Sequence, residues 1–240
     1  MFLVGIAALI GAFALWFLAP FAYRRRQEAA LAKACRTAGA IVLSYDDGPG
    51  PELTPQLLDL LAARGARATF FCLGDHTEGQ RPLVERLLRD GHELGSHTYH
   101  HTNAWKAGPL RAARDFKAGA RTIQALGGDG ALFRPPYGKL TLAGWLHGRA
   151  KGLRFGWWTI DTRDSWAPRP VDDILAEIDR ENGGVVLMHD WDDYGEAAPK
   201  PAHISSTLAL TERILDLASR KGLAVRTLGE VLRDAEATAR

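Results

Sequence analysis

The sequence predicts an α/β fold: a distorted (β/α) barrel of about seven strands, preceded by one N-terminal transmembrane helix. Three observations point there. Apolar, β-branched or aromatic runs recur at residues 40–45, 68–73, 92–96, 131–134, 153–160, 184–189 and 223–227. Helical patterns fill the intervals, and strict alternation of strand and helix implies parallel strands with crossover helices. The stretch from Phe2 to Tyr23 carries no charged residue. Six or seven strand–helix units suggest a barrel, although periodicity by itself does not separate it from an open sheet.

Taken in order, the apolar stretch from Phe2 to Tyr23 matches the ~20 residues a helix needs to cross a bilayer. A buried core helix is the alternative. A cleaved signal peptide normally has a basic residue ahead of its apolar part, and none is present here. Arg24, Arg25 and Arg26 follow, with Lys33 and Arg36 close behind. The positive-inside rule then puts the C-terminal side in the cytoplasm. The expected organisation is an anchor over 1–23, a juxtamembrane linker or short helix over 24–38, and a catalytic domain over 39–240, in a single-pass membrane protein.

The first strand, "IVLSYDD", ends on two adjacent carboxylates, Asp46 and Asp47, before Gly48-Pro49. Like charges side by side at a buried strand end cost free energy, so something must compensate them. Next comes a helix with Thr54 at its N-cap, Pro55 in the first turn, Leu57, Leu58 and Leu61 on one face, and Gly65 as stop. Further helices are expected over 81–90, 109–126, 171–181 and 204–221, three of them closed by Gly91, Gly127 and Gly222. Residues 189–206, rich in Pro and Gly, read as a loop at a strand end and a natural rim for a site.

Composition narrows the function. The net charge of +2 gives no sign of nucleic-acid binding, and two cysteines, Cys35 and Cys72, do not make a disulfide framework. Nothing in the sequence sets an oligomeric state. Five strand ends carry polar residues: Asp46-Asp47; His97 and His101; Arg134 and Tyr137; Asp161, Asp164 and Trp166; His189 and Asp190. All are C-terminal ends, the face on which α/β barrels assemble sites. His97 and His101 have the i, i+4 spacing of two imidazoles on one face of a helical turn. With a carboxylate from another strand they make a triad suited to zinc or a similar divalent cation. One aspartate of the doublet then serves as ligand, and the cation relieves its repulsion with the other.

"SYDDGP", "HTYHH", "RPPYG", "DTRDSW" and "LMH" together resemble, in order and spacing, the five motifs of the polysaccharide deacetylases with a NodB homology domain, carbohydrate esterase family four. The resemblance spans about residues 40–230. It implies that Asp47, His97 and His101 bind the metal and that Asp46 is the general base, held by Arg134. It further implies that the Tyr137 N–H stabilises the oxyanion, that Leu187 and Trp166 line the acetyl pocket, and that His189 is the general acid oriented by Asp164. The implied cofactor is a divalent metal, Zn2+ foremost, with Co2+, Ni2+ or Mn2+ as alternatives.

One departure stands out. Ser165 separates Asp164 from Trp166, where the family has Asp directly followed by Trp. Asp161 therefore stands beside Asp164 as a partner for His189, and Trp157 or Trp191 beside Trp166 as a pocket wall.

The expected activity is removal of an N-acetyl group from an amino sugar in a poly- or oligosaccharide or a lipid-linked glycan. Deformylation or hydrolysis of another amide at the same site, or a non-catalytic glycan-binding role, are the alternatives. Among the remaining aromatics, His92 reads as packing, His100 as pointing away from the metal, and His76, His147 and His203 as surface or loop residues. Trp145, Trp157 and Trp158 read as core, and Trp191 and Tyr194 as candidates for stacking on a sugar ring.

Overall fold

The computed structural model describes residues 2–238, excluding the side chains of 2–10, 12 and 236–238. Among the described residues eight parallel strands form one sheet: β1 (Ala40–Asp46), β2 (Thr69–Cys72), β3 (Glu93–Ser96), β4 (Asp129–Phe133), β5 (Arg154–Phe155), β6 (Ile160–Asp161), β7 (Gly184–His189) and β8 (Ala224–Val225). Their order is β5-β4-β3-β2-β1-β7-β6, with β8 pairing the start of β1. The path ends at β5 on one side and β6 on the other. The single strand expected over 153–160 is thus two short ones, separated by Gly156–Thr159, and the barrel has a seam there.

Alternation along β1 shows how the sheet is sandwiched, because successive strand residues face opposite sides. Ile41, Leu43 and Tyr45 belong to the outer core. Against them pack the apolar faces of α2 (Leu53–Ala63), α4 (Arg81–Arg89), α7 (Val171–Arg180) and α8 (Lys200–Lys221), through residues such as Leu57, Leu87, Ile178 and Ile214. Ala40 and Val42 belong to a second, inner cluster with Phe71, Leu132 and Val185. Farther along β1 the inner face turns polar, with Ser44 and Asp46 both buried. Asp46 lies in register with His189 of β7.

The inner cluster is completed from outside the sheet. Leu31 and Cys35 of α1 (Phe2–Ala38) and Leu228 and Val231 of α9 (Leu228–Thr238) fill it, all at 3% exposure or less. Burying a side chain such as Leu31 contributes about 1.5–3 kcal/mol. Residues 24–38, expected as linker or short helix, continue α1 without a break, and Cys35 is fully buried.

The anchor expected over 1–23, and the membrane localisation and tethering that went with it, are corrected. Among the described residues no helix is long and apolar enough to cross a membrane. The side chains of 2–10 and 12, part of that expected span, lie outside the described residues. Several described side chains nearer the domain meet its own aromatics. Phe17 sits edge-on to Trp105 at 5.4 Å, Pro20 is buried, and Tyr23 lies 5.5 Å from Trp145 and 5.8 Å from Phe155.

Other departures are local. Helices α3 (Gly74–Gly79), α6 (Leu142–Ala150) and α9 were not anticipated, while α5 (Pro109–Ala125) follows the sequence closely. Because α8 begins at Lys200, the long loop expected over 189–206 is shorter than its Pro and Gly content suggested.

Candidate active site

The C-terminal end of β1 shows how the chain supports its carboxylate doublet. Asp46 closes the strand and Asp47 turns out of it with a φ of 72°, so that the two face different partners. Asp46 Oδ1 accepts a 2.6 Å bond from Arg134 Nη1. Arg134, completely buried beyond β4, also donates from Nε to the Gly156 carbonyl at 2.8 Å and from Nη2 to Ser44 Oγ at 3.1 Å. Its guanidinium stacks 4.1 Å from the Phe71 ring. A buried guanidinium is costly unless its N–H groups are satisfied and its charge opposed, and this arrangement supplies both.

Asp47 instead meets two imidazoles. Its Oδ1 lies 3.4 Å from His97 Nε2 and 3.2 Å from His101 Nε2. The Nδ1–H of His97 donates to the Arg134 carbonyl at 2.8 Å, which leaves Nε2 as the acceptor nitrogen facing Asp47. Asp47 Oδ1 is buried with no hydrogen-bond donor. An orphaned carboxylate oxygen facing two imidazole nitrogens, with all three ligand atoms within 4.8 Å of one another, fits a divalent cation. Burial pushes the His101 pKa down to about 4, which favours the neutral, ligating form. The two histidines do not share a helical turn. They sit on an irregular loop after β3 that bends through positive φ at Thr98 (74°) and His101 (57°).

On β7, His189 Nδ1 lies 2.7 Å from Asp164 Oδ1, and the His189 backbone N–H donates to Asp164 Oδ2 at 2.8 Å. Thr162 Oγ1 donates a further 3.0 Å bond to Asp164. Asp161 turns elsewhere, accepting from the Arg163 N–H. Burial pushes the His189 pKa down, but the Asp164 carboxylate outweighs this and lifts it to about 10. For Asp164, burial pushes the pKa up and the His189 charge holds it below the ordinary carboxylate value.

These groups open on a cleft of about 570 Å³ that also contains Leu187, Tyr137, Trp158 and Trp166. Leu187 is nearly buried, whereas Trp166 is 58% and Tyr137 56% exposed. Trp157 is buried in the inner core and Trp191 stacks on His76 at 3.8 Å, so neither faces the cleft as Trp166 does.

Four residues do something the sequence did not announce. Tyr194 Oη donates to Asp47 Oδ2 at 3.0 Å, so its polar end is committed to the carboxylate that faces His97 and His101. Trp158, expected in the core, lines the cleft. His203, expected at the surface, is buried on α8 with its ring 5.0 Å from that of Tyr194. Asp190, next to His189, binds the loop after the doublet by accepting from Gly48 N at 3.1 Å and Thr54 Oγ1 at 2.7 Å. A Cβ at Gly48 would collide with the Asp190 carboxylate, so only glycine fits there. A tyrosine or histidine carries no spacing signal of its own, which is why pattern reading passed over these contacts.

Comparison with known proteins adds four findings. The family model for Polysaccharide deacetylase matches residues 33–156. A peptidoglycan-N-acetylglucosamine deacetylase of Bacillus cereus is 32% identical over 197 residues, covering 80% of this chain and 88% of its own. A chitooligosaccharide deacetylase of Sinorhizobium fredii is 30% identical over 199 residues, covering 80% and 91%. Among solved structures, the Bc1960 peptidoglycan N-acetylglucosamine deacetylase superposes with a TM-score of 0.70 at 26% identity, covering 82% of this chain and 89% of that one.

Proposed function

The chain belongs to the polysaccharide deacetylase family and is a metal-dependent hydrolase of N-acetyl amide C–N bonds; from this premise we propose that it deacetylates an amino sugar within an oligo- or polysaccharide or a lipid-linked glycan. The catalytic unit is residues 39–240. The observation that carries this reading is that Asp46, paired with the buried Arg134, and His189, paired with Asp164, line one cleft with Asp47, His97 and His101.

Asp47, His97 and His101 would hold the ion, and one carboxylate with two imidazoles suits zinc, with cobalt, nickel or manganese as alternatives. Such an ion, when bound, lowers the pKa of a water towards ~7 and polarises the acetyl carbonyl. Asp46, held in place by its 2.6 Å bond from the Arg134 guanidinium, takes the proton of the attacking water. The Tyr137 N–H donates to the carbonyl oxygen as negative charge develops there, the point at which a fixed donor is most effective. Leu187 and Trp166 bound the space for the acetyl methyl. His189, protonated through its contact with Asp164, gives its proton to the departing amine nitrogen. Acetate and the free amino sugar are the products.

The test is acetate release from N-acetylated chitooligosaccharides and peptidoglycan fragments, after chelation and after adding back single metals. Activity that disappears with chelator and returns with zinc supports the reading. Formate release from formamido sugars, with no acetate from any acetamide, would replace it with deformylation.

A further inference from the structure

We infer that Arg24 is a positioning residue for this reaction: α1 reaches to the cleft rim and fixes the turn that presents the Tyr137 N–H. The inference rests on the role proposed above for that N–H. Arg24 precedes residues 33–156, the segment matched by the family model, so this contact is additional to it.

The turn needs holding. Tyr137 and Gly138 are consecutive residues of left-handed conformation, with φ of 58° and 61°. For a residue with a Cβ this region costs about 1–2 kcal/mol, and such strain persists only where the surroundings enforce it. Two bonds lie within the turn, from Gly138 N to the Pro135 carbonyl at 2.9 Å and from Lys139 N to the Pro136 carbonyl at 3.0 Å. From outside it, Arg24 Nη1 donates to the Gly138 carbonyl at 2.7 Å.

Arg24 is itself fixed on three sides. Its Nε donates to Glu28 Oε1 at 2.6 Å, one helical turn away, and Glu28 is only 9% exposed. Its guanidinium lies 4.5 Å above the Trp158 ring and 5.1 Å from that of Trp157. Trp158 is part of the cleft wall, so the same side chain braces the wall and the turn. The fit is close: a Cβ at Gly138 would collide with Arg24 Nη1 and crowd Trp158. The planar fork of arginine makes the carbonyl, carboxylate and stacking contacts together, which an ammonium does not.

The experiment compares full-length, zinc-loaded wild type with Arg24→Met, Arg24→Lys and Glu28→Gln. It measures kcat, KM, Tm and the affinity of a phosphonamidate analogue of the acetamide, which mimics the tetrahedral state. Displacing a positioned group can cost up to ~100-fold, and we expect Arg24→Met to lower kcat about tenfold. KM should stay within about twofold, and analogue affinity should fall by the same factor as kcat. Arg24→Lys should recover part of the loss and Glu28→Gln should lose part of the rate. The inference is overturned if Arg24→Met turns over like wild type, or if its kcat falls only as its folded fraction falls. A wild-type protein that releases no acyl group from any substrate overturns this inference together with the proposed function. An active wild type with an indifferent Arg24 overturns this inference alone.

Discussion

Two buried carboxylates serve the same cleft, one opposed by a guanidinium and the other by an imidazole. Asp46 pairs with Arg134 at 2.6 Å and Asp164 with His189 at 2.7 Å, both with little solvent exposure. By distance the two contacts are nearly equivalent. Chemically they are opposites, because arginine keeps its proton at every working pH whereas histidine exchanges one. A carboxylate beside arginine thus faces a charge that does not change. One beside histidine raises a neighbouring acid until it carries a proton to give.

The severest way to break this contrast is Asp46→Asn, which removes the acceptor and leaves the cation site intact. Turnover should fall by at least ~10³-fold, within the range for general-base removal, while zinc content by elemental analysis stays at the wild-type level. Near wild-type rates would take the base role away from Asp46. Arg134→Met tests the other partner of the same pair. It strands a buried anion, a loss of about 3–5 kcal/mol, and chemical denaturation should show the midpoint falling accordingly. An unchanged midpoint would mean that Asp46 is not held by this ion pair.

Asp164→Asn sharpens the second half of the comparison. Acid catalysis should weaken by roughly 10²-fold, and the alkaline limb of kcat/KM should move to lower pH, since Asp164 is the largest of the three carboxylates, with Asp47 and Asp46, that lift His189 to about 10. The sign for stability follows from the same shift. The native pKa of His189 lies above the ordinary 6.5 and that of Asp164 below the ordinary 3.8, so the pair stabilises fully between those two values and its contribution fades as pH rises towards 10. An unmoved limb would assign it to another group. The mildest change is Tyr194→Phe, which deletes the hydroxyl bound to Asp47 Oδ2. Outer partners of metal ligands typically contribute 10–100-fold in affinity, and a loss of about tenfold in zinc affinity by competition with a chromogenic chelator is expected. Unaltered affinity would make the hydroxyl incidental.

Much of this arrangement was legible because it is written in strand ends. The doublet after "IVLSY" and the residues around His97, Arg134 and His189 all follow apolar runs whose period places them at one edge of a parallel sheet. The alternation of strands and helices was legible for the same reason. What escaped depends on contacts between segments far apart in the chain. The apolar run before Arg24 reads as a lipid-crossing helix because hydropathy registers a wish to leave water, not the partner that grants it. Here Phe17 and Tyr23 turn to the domain's own aromatics and Pro20 is buried. The spacing of His97 and His101 suggested a helix, but two left-handed residues bring the rings together on a loop. Tyr194 was legible as an aromatic at a rim, yet its bond to Asp47 spans 147 positions of sequence.

The register that sets Asp46 beside His189 has a consequence for how such a site can evolve. Adjacent strands stand about 4.8 Å apart, so the span between the two residues proposed as proton taker and proton giver follows main-chain hydrogen bonding. The chemistry is gauged once, to the width of a single small acyl linkage. Adaptation to new substrates must therefore happen at the margins, as at the exposed side chains of Tyr137 and Trp166, which can be exchanged without moving a strand.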